Sequence, residues 1–159
     1  MRHILVTNTK GGCGKSTLAT NLAAYYASEG YSTTLADYDP QGSSLSWLDE
    51  RPESAAPITG LAGYEEGLRH APRNADYLII DSPARAYGTE LTDLVRRAET
   101  ILVPVLPSPI DIKAASEFIE GLLSRGKVAK RQARAGIIAT RVRENTIIFD
   151  ELDEYLEKL

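Results

Sequence analysis

Five short apolar runs punctuate the chain: "HILVTN" (3–8), "TTLAD" (33–37), "YLIID" (77–81), "ILVPVLP" (101–107) and "AGIIATR" (135–141). Each has the length of a strand, is rich in leucine or β-branched residues, and is bounded by turn residues. None alternates cleanly between apolar and polar positions, which is the pattern of strands covered on both faces. Between them the period becomes helical. Leu18, Leu22, Tyr25 and Tyr26 recur with helical spacing in 15–29, with Ala19, Ala23 and Ala27 interleaved, and Gly30 stands where a helix C′ glycine belongs. Leu91, Leu94, Val95 and Ala98 make one face of 89–98. Ile112, Ala115, Ile119, Leu122 and Leu123 make one face of 111–123, with Asp111 as its expected N-cap. Ile148, Leu152, Tyr155, Leu156 and Leu159 repeat the pattern over 146–159. The alternation predicts an α/β fold of three layers, α/β/α, around a mostly parallel, doubly wound sheet. Segments 49–57 and 70–75 read as loops or weak helices. With no repeat, low-complexity tract or linker, residues 1–159 read as one domain.

Composition changes this picture little. The chain has 159 residues, 43% of them apolar and 25% charged, which is ordinary for a globular domain. A net charge of −4 gives no bulk reason to expect nucleic acid. Cys13 is the sole cysteine, so neither an internal disulfide nor a multi-cysteine metal site can form within one chain. The N-terminus enters a strand pattern directly and carries no signal-type apolar region, so a cytoplasmic location is expected.

The chemistry begins at "NTKGGCGKST" (8–17), which follows the first strand and opens the first helix. Gly11, Gly12 and Gly14 allow backbone N–H groups to converge on an anion, and the helix adds its own N-terminal donors. Lys15 supplies a cation for the outer phosphates and Ser16 a hydroxyl for Mg²⁺. Asn8 and Thr17 are further phosphate-side candidates. Cys13 fills a variable position and is expected to have no redox role. The strict pattern G-x-x-x-x-G-K-[ST] fails, because Thr9 occupies the first glycine position. Asp37 and Asp39 follow the second strand; each could serve a metal and its water, or cap the next helix around 41–48. Asp81 ends an apolar strand, the arrangement that delivers a carboxylate to a bound magnesium.

"KGGCGKST" resembles the deviant Walker A motif of the ParA/MinD ATPases, a branch of the P-loop NTPases. "DYDPQGS" (37–43), "DYLIIDSPA" (76–84) and "PVLPSPID" (104–111) resemble the remaining family segments in order and spacing. The likeness covers nearly the whole chain and is greatest to short ParA-like proteins. It implies an ATPase that binds ATP or ADP with Mg²⁺ and forms a homodimer on binding ATP. It implies that Lys10 is the signature lysine, reaching phosphates held by the other subunit. It assigns Asp39 to the attacking water and Asp37, with Ser16 and Asp81, to the metal and its water shell. Residues 82–88 would be a switch segment; Ala84 stands where the family usually has a proline or glycine. In "PVLPSPID", Pro104, Pro107 and Pro109 stiffen either a ligand contact or a plain strand-to-helix connection.

The stretch from Arg125 to Arg143 carries basic residues and no acid. In ParA relatives such a surface binds DNA non-specifically; a solvated helix end is the alternative. The last helical pattern is acidic on its polar side, so it would be repelled by anionic lipid and no membrane partner is expected. Short ParA-like proteins continue into a further strand and helices that complete the adenine side, and here the fold is expected to be shortened at that end. Thr140 and Arg141 are the base-side candidates. The function expected is ATP-dependent positioning or partitioning of DNA or a protein cargo, stimulated by a ParB-like adaptor, in the cytoplasm or on the nucleoid. The alternatives are a metabolic phosphotransferase or ligase, for which Lys10 has no use, and a degenerate nucleotide-binding module. An iron–sulfur carrier is disfavoured because Cys13 lies inside the phosphate loop.

Overall fold

Among the residues described by the computed structural model (1–84, 88–123, 133–143 and 146–157), six strands form one sheet in the order β3-β2-β4-β1-β5-β6. They are β1 (Arg2–Val6), β2 (Thr33–Asp37), β3 (Thr59–Ala62), β4 (Tyr77–Asp81), β5 (Thr100–Val105) and β6 (Arg134–Ala139). Every adjacent pair is parallel. The helices are α1 (Lys15–Ser28), α2 (Ser43–Asp49), the single turn α3 (Gly63–Glu66), α4 (Gly88–Arg97), α5 (Pro109–Leu123) and α6 (Ile147–Glu157). Residues 124–132, Glu144 and Leu159 lie outside the described residues, and with them four of the seven basic side chains of the basic stretch and part of the last helical pattern. So do 85–87 of the expected switch segment.

Parity along each strand divides the core in two, because successive side chains leave opposite faces. Ile4, Val6, Leu35 and Ile79 pack with Ala19 and Ala23 of α1, and Trp47 of α2 joins them. Leu5, Ala36, Leu78, Ile80, Ile101, Val103 and Val105 face the other way, against α4, α5 and Leu152 of α6. The buried stripe of α1 is Ala19, Ala23 and Ala27. Leu18, Leu22 and Tyr26 only flank it, and Tyr25 is 56% exposed. The larger residues dominate the helical pattern in the sequence, whereas the alanines make the close contact with the sheet.

Three strands end two residues before the apolar runs that predict them. Thr7 and Asn8, Leu106 and Pro107, and Thr140 and Arg141 therefore leave the sheet at one edge. That edge is the carboxyl end of the strands. There the connection from β1 runs to one side and that from β4 to β5 crosses to the other, a switch point where parallel sheets open a crevice.

Two expectations are corrected. β3 lies within a segment that shows no strand pattern; its four residues form the sheet edge beside β2. The N-cap of α5 is Ser108, not Asp111. The Ser108 hydroxyl accepts the Asp111 N–H at 3.3 Å, and Pro109 occupies the first helical position, where its missing N–H costs nothing. Gly30, with φ 87°, ends α1 as expected.

Gly63 opens α3 directly against the ring of Tyr38, so close that a Cβ there would overlap it. Gly63→Ala is expected to lower stability by about 1–3 kcal/mol, the range for overpacking, in urea unfolding. The displaced Tyr38 ring adjoins Asp37 and Asp39, so the variant is also expected to change tyrosine fluorescence.

Candidate functional site

The phosphate loop owes its shape to two left-handed glycines, Gly12 at φ 73° and Gly14 at φ 93°, a conformation that costs other residues a steric penalty. Its base is fixed by Asn8. The buried Asn8 amide donates to the Pro104 carbonyl at 2.7 Å, and its oxygen accepts the Lys10 N–H at 3.1 Å. Asn8 thus works beneath the loop. From the far side the Thr140 hydroxyl donates to the Cys13 carbonyl at 2.9 Å and lies 3.3 Å from that of Val105. Thr140, the base-side candidate, braces the loop from the end of β6. Arg141 beside it is exposed and takes φ 53°.

Inside the loop the Lys10 carbonyl gathers two donors. Lys15 Nζ reaches it at 2.9 Å and Cys13 Sγ at 3.3 Å. Lys15 is only 7% exposed, so a cation is held at the base of the loop. Cys13 is buried and its thiol is pushed up in pKa by that burial. Gly11 and Gly12 face open space. Thr17 is exposed on the first turn of α1, and the Lys10 ammonium makes no ion pair among the described residues.

The two helices on this face begin differently. Both have a left-handed glycine at the N-cap, Gly14 for α1 and Gly42 for α2, and so no side-chain cap of their own. The α2 donors are satisfied from afar: Asp37 Oδ2 accepts from the N–H groups of Ser44 (2.9 Å) and Leu45 (3.3 Å). Asp37 Oδ1 accepts the Asp39 N–H at 2.9 Å. Both Asp37 oxygens are thus engaged by backbone, and of its two readings the geometry supplies the capping one. The α1 N-terminus receives no such carboxylate and has no acid in its first turn. Its donors and dipole suit an incoming anion.

Asp81 is Asp37's direct partner in the parallel register of β2 and β4. Both share the parity of Leu35 and Ile79, so both face α1 and α2. Asp81 is 1% exposed, and its Oδ2 accepts the Ser44 hydroxyl. Its Oδ1 is buried without a partner. Burial pushes the Asp81 carboxyl up to about 6; the Ser44 and Ser16 hydroxyls and Lys15 oppose that, and Asp37 adds to it. Burial raises Asp37 as well. An orphaned buried carboxylate oxygen beside a serine hydroxyl and a lysine is a donor set that fits magnesium and phosphate.

Asp39 lies two residues past the end of β2. It stands in the turn beyond β2, where its carboxylate accepts the N–H of Gln41 at 3.0 Å and of Ala84 at 3.3 Å. It therefore ties its own turn to the segment after Asp81. The residue missed from the sequence is Ser44, which contacts both strand-end aspartates. Its partner Asp81 lies 37 positions away, and no local pattern signals the pairing.

The profile of the CobQ/CobB/MinD/ParA nucleotide-binding domain matches residues 4–159. Among curated proteins, the chain is 27% identical to the maintenance of carboxysome distribution protein A of Halothiobacillus neapolitanus, over 98% of this chain and 74% of that one. It is 30% identical to the chromosome-partitioning ATPase Soj of Thermus thermophilus, over 98% and 76%. Among solved structures, cobyrinic acid a,c-diamide synthase of Mycobacterium smegmatis with bound ADP and magnesium superposes with a TM-score of 0.77. It is 19% identical, over 100% of this chain and 82% of that one. Among the described residues, no helix is long and apolar enough to cross a membrane.

The sign of the Asp81 effect on stability is fixed. A carboxyl raised from 3.8 to about 6 binds its proton more tightly when folded. Its contribution is fully present below about pH 4 and is lost as pH rises through about 6, at a cost on the order of 3 kcal/mol. In EDTA without nucleotide, Asp81→Asn is expected to melt higher than wild type at about pH 7 and to flatten the fall in melting temperature between about pH 4 and pH 7. A variant melting lower than wild type at about pH 7 would contradict this.

Proposed function

The chain belongs to the CobQ/CobB/MinD/ParA nucleotide-binding domain family, and on that premise we propose that it is an ATP-driven dimeric switch that positions or partitions a cargo. The observation that carries this reading is the buried Lys15 ammonium, held by the loop's own Lys10 carbonyl beneath an open glycine turn and an α1 N-terminus without a side-chain cap. A buried cation next to unclaimed N–H donors is a receptor for a polyanion.

The chain's residues divide the work as follows. The N–H groups from Gly11 to Thr17 surround the phosphates, and Lys15 exchanges its carbonyl partner for a phosphate oxygen. Ser16, by its hydroxyl, and Asp81, by its carboxylate, would hold magnesium. Magnesium, when bound, supplies the charge that neutralises the outer phosphates. Asp37 keeps α2 and the Asp39 turn in place rather than holding metal itself. Asp39 orients the water that attacks. Lys10, without an ion pair among the described residues, extends to the phosphates of a second copy, where added positive charge stabilises phosphoryl transfer. Nucleotide loading and pairing thereby become coupled.

Turnover is slow and is stimulated by a ParB-like adaptor; non-specific DNA is a further partner, and the protein works in the cytoplasm or on the nucleoid. The curated relatives named above carry carboxysome-distribution and chromosome-partitioning names, which supports a positioning role.

Light scattering with ADP, ATP and a non-hydrolysable ATP analogue tests the proposal. The mass is expected to double with the analogue and to stay monomeric with ADP. Lys10→Ala is expected to bind ADP like wild type and to remain a monomer with the analogue. Lys15→Ala is expected to lose about 10- to 100-fold in ADP affinity, the worth of one charge-assisted hydrogen bond. An active monomer indifferent to Lys10→Ala would favour the metabolic enzyme.

A further inference from the structure

Ser44 is fully buried at the second position of α2 and holds both strand-end carboxylates. Its N–H donates to Asp37 and its hydroxyl to Asp81 Oδ2. Capping of α2 needs only the backbone N–H groups of Ser44 and Leu45, so the hydroxyl has no part in it. Nor does packing require it: alanine would fit the same space. The hydroxyl has one partner in the hydrogen-bond network, Asp81, and the effect on Asp81 is specific. With Oδ2 gripped, the carboxyl cannot rotate freely about its Cβ–Cγ bond, and Oδ1 is left buried with no donor. An unpaired buried oxygen is costly, so the arrangement is kept against a stability penalty. Ordered second-shell hydrogen bonds of this kind fix ligand direction at metal sites.

We propose that Ser44 is a positioning residue that locks Asp81 with Oδ1 directed to the magnesium site, and that it thereby carries much of the magnesium-dependent part of nucleotide affinity. The inference rests on the nucleotide and magnesium reading above. Its energetic consequence is a coupling between two ligands. Without the hydroxyl, Asp81 must be ordered when metal binds, so metal and nucleotide support each other less. Nucleotide binding without metal depends on the loop and Lys15 and is untouched.

The test is the affinity for a fluorescent ADP, measured at saturating magnesium and in EDTA, for wild type and Ser44→Ala. Ser44→Ala is expected to match wild type in EDTA within about twofold and to lose about tenfold of the magnesium-dependent tightening. A residue that merely supported the fold would weaken both conditions together. In an Asp81→Asn background, Ser44→Ala is expected to add nothing to the magnesium effect. Should Ser44→Ala fail to fold, the pair Ser44→Thr and Ser44→Val makes the comparison at nearly constant volume, with the threonine keeping the magnesium effect and the valine losing it. Unchanged magnesium tightening in Ser44→Ala, or equal behaviour of the threonine and valine variants, overturns the role of Ser44. Absence of any magnesium effect in wild type overturns the nucleotide and magnesium reading instead.

Discussion

Two buried carboxylates stand side by side at the ends of β2 and β4, and the rest of the site is organised around that juxtaposition. Parallel register makes Asp37 and Asp81 neighbours, and strand parity turns both to the face covered by α1 and α2. Burial raises both carboxyls, because a low dielectric penalises their charged forms, and the charge of Asp37 adds to the shift of Asp81. The chain gives them different partners. Asp37 is absorbed by the N–H groups of Asp39, Ser44 and Leu45 and becomes structural. Asp81 is gripped at Oδ2 by the Ser44 hydroxyl and keeps Oδ1 unpaired, so it remains available for chemistry.

The same asymmetry governs the two helix N-termini. Each begins at a left-handed glycine and leaves N–H donors without a local cap. A carboxylate delivered by β2 satisfies α2, whereas α1 is approached by the lysine of its own first position. One terminus is thereby closed and the other kept as an anion receptor. Thr140 and Asn8 complete the division of labour: one braces the loop from β6, the other pins it to β5. Phosphate binding then needs little loop reorganisation, because the backbone is fixed on both flanks.

Much of this was legible in the residues. Apolar runs ending in "YLIID" and "TTLAD" announce buried strands that deliver aspartates, and the glycine spacing between strand and helix announces the loop. Illegible were features that depend on distant partners. β3 is four residues long, contains Gly60, and is a strand only because β2 offers it an edge. Ser108 displaced Asp111 as the cap because Pro109 can begin a helix as readily as Asp111 can precede one. The remote capping of α2 by Asp37, and the whole contribution of Ser44, follow from where α2 starts relative to two strand ends. Periodicity does not encode that.

Asp39 is where these local arrangements meet. It lies outside the sheet, half-buried, and its carboxylate bridges its own turn and the backbone of Ala84. The 3.3 Å contact with Ala84 is long for an N–H to carboxylate bond and so is easily broken. The 2.9 Å hold of Asp37 on the Asp39 N–H is short and keeps the turn itself in place. Rotation of the Asp39 side chain would break its bond to Ala84 and its bond to Gln41 together, while the Asp37 hold on the Asp39 N–H persists. The carboxylate proposed above to orient water is therefore also the group that ties Ala84 to this turn.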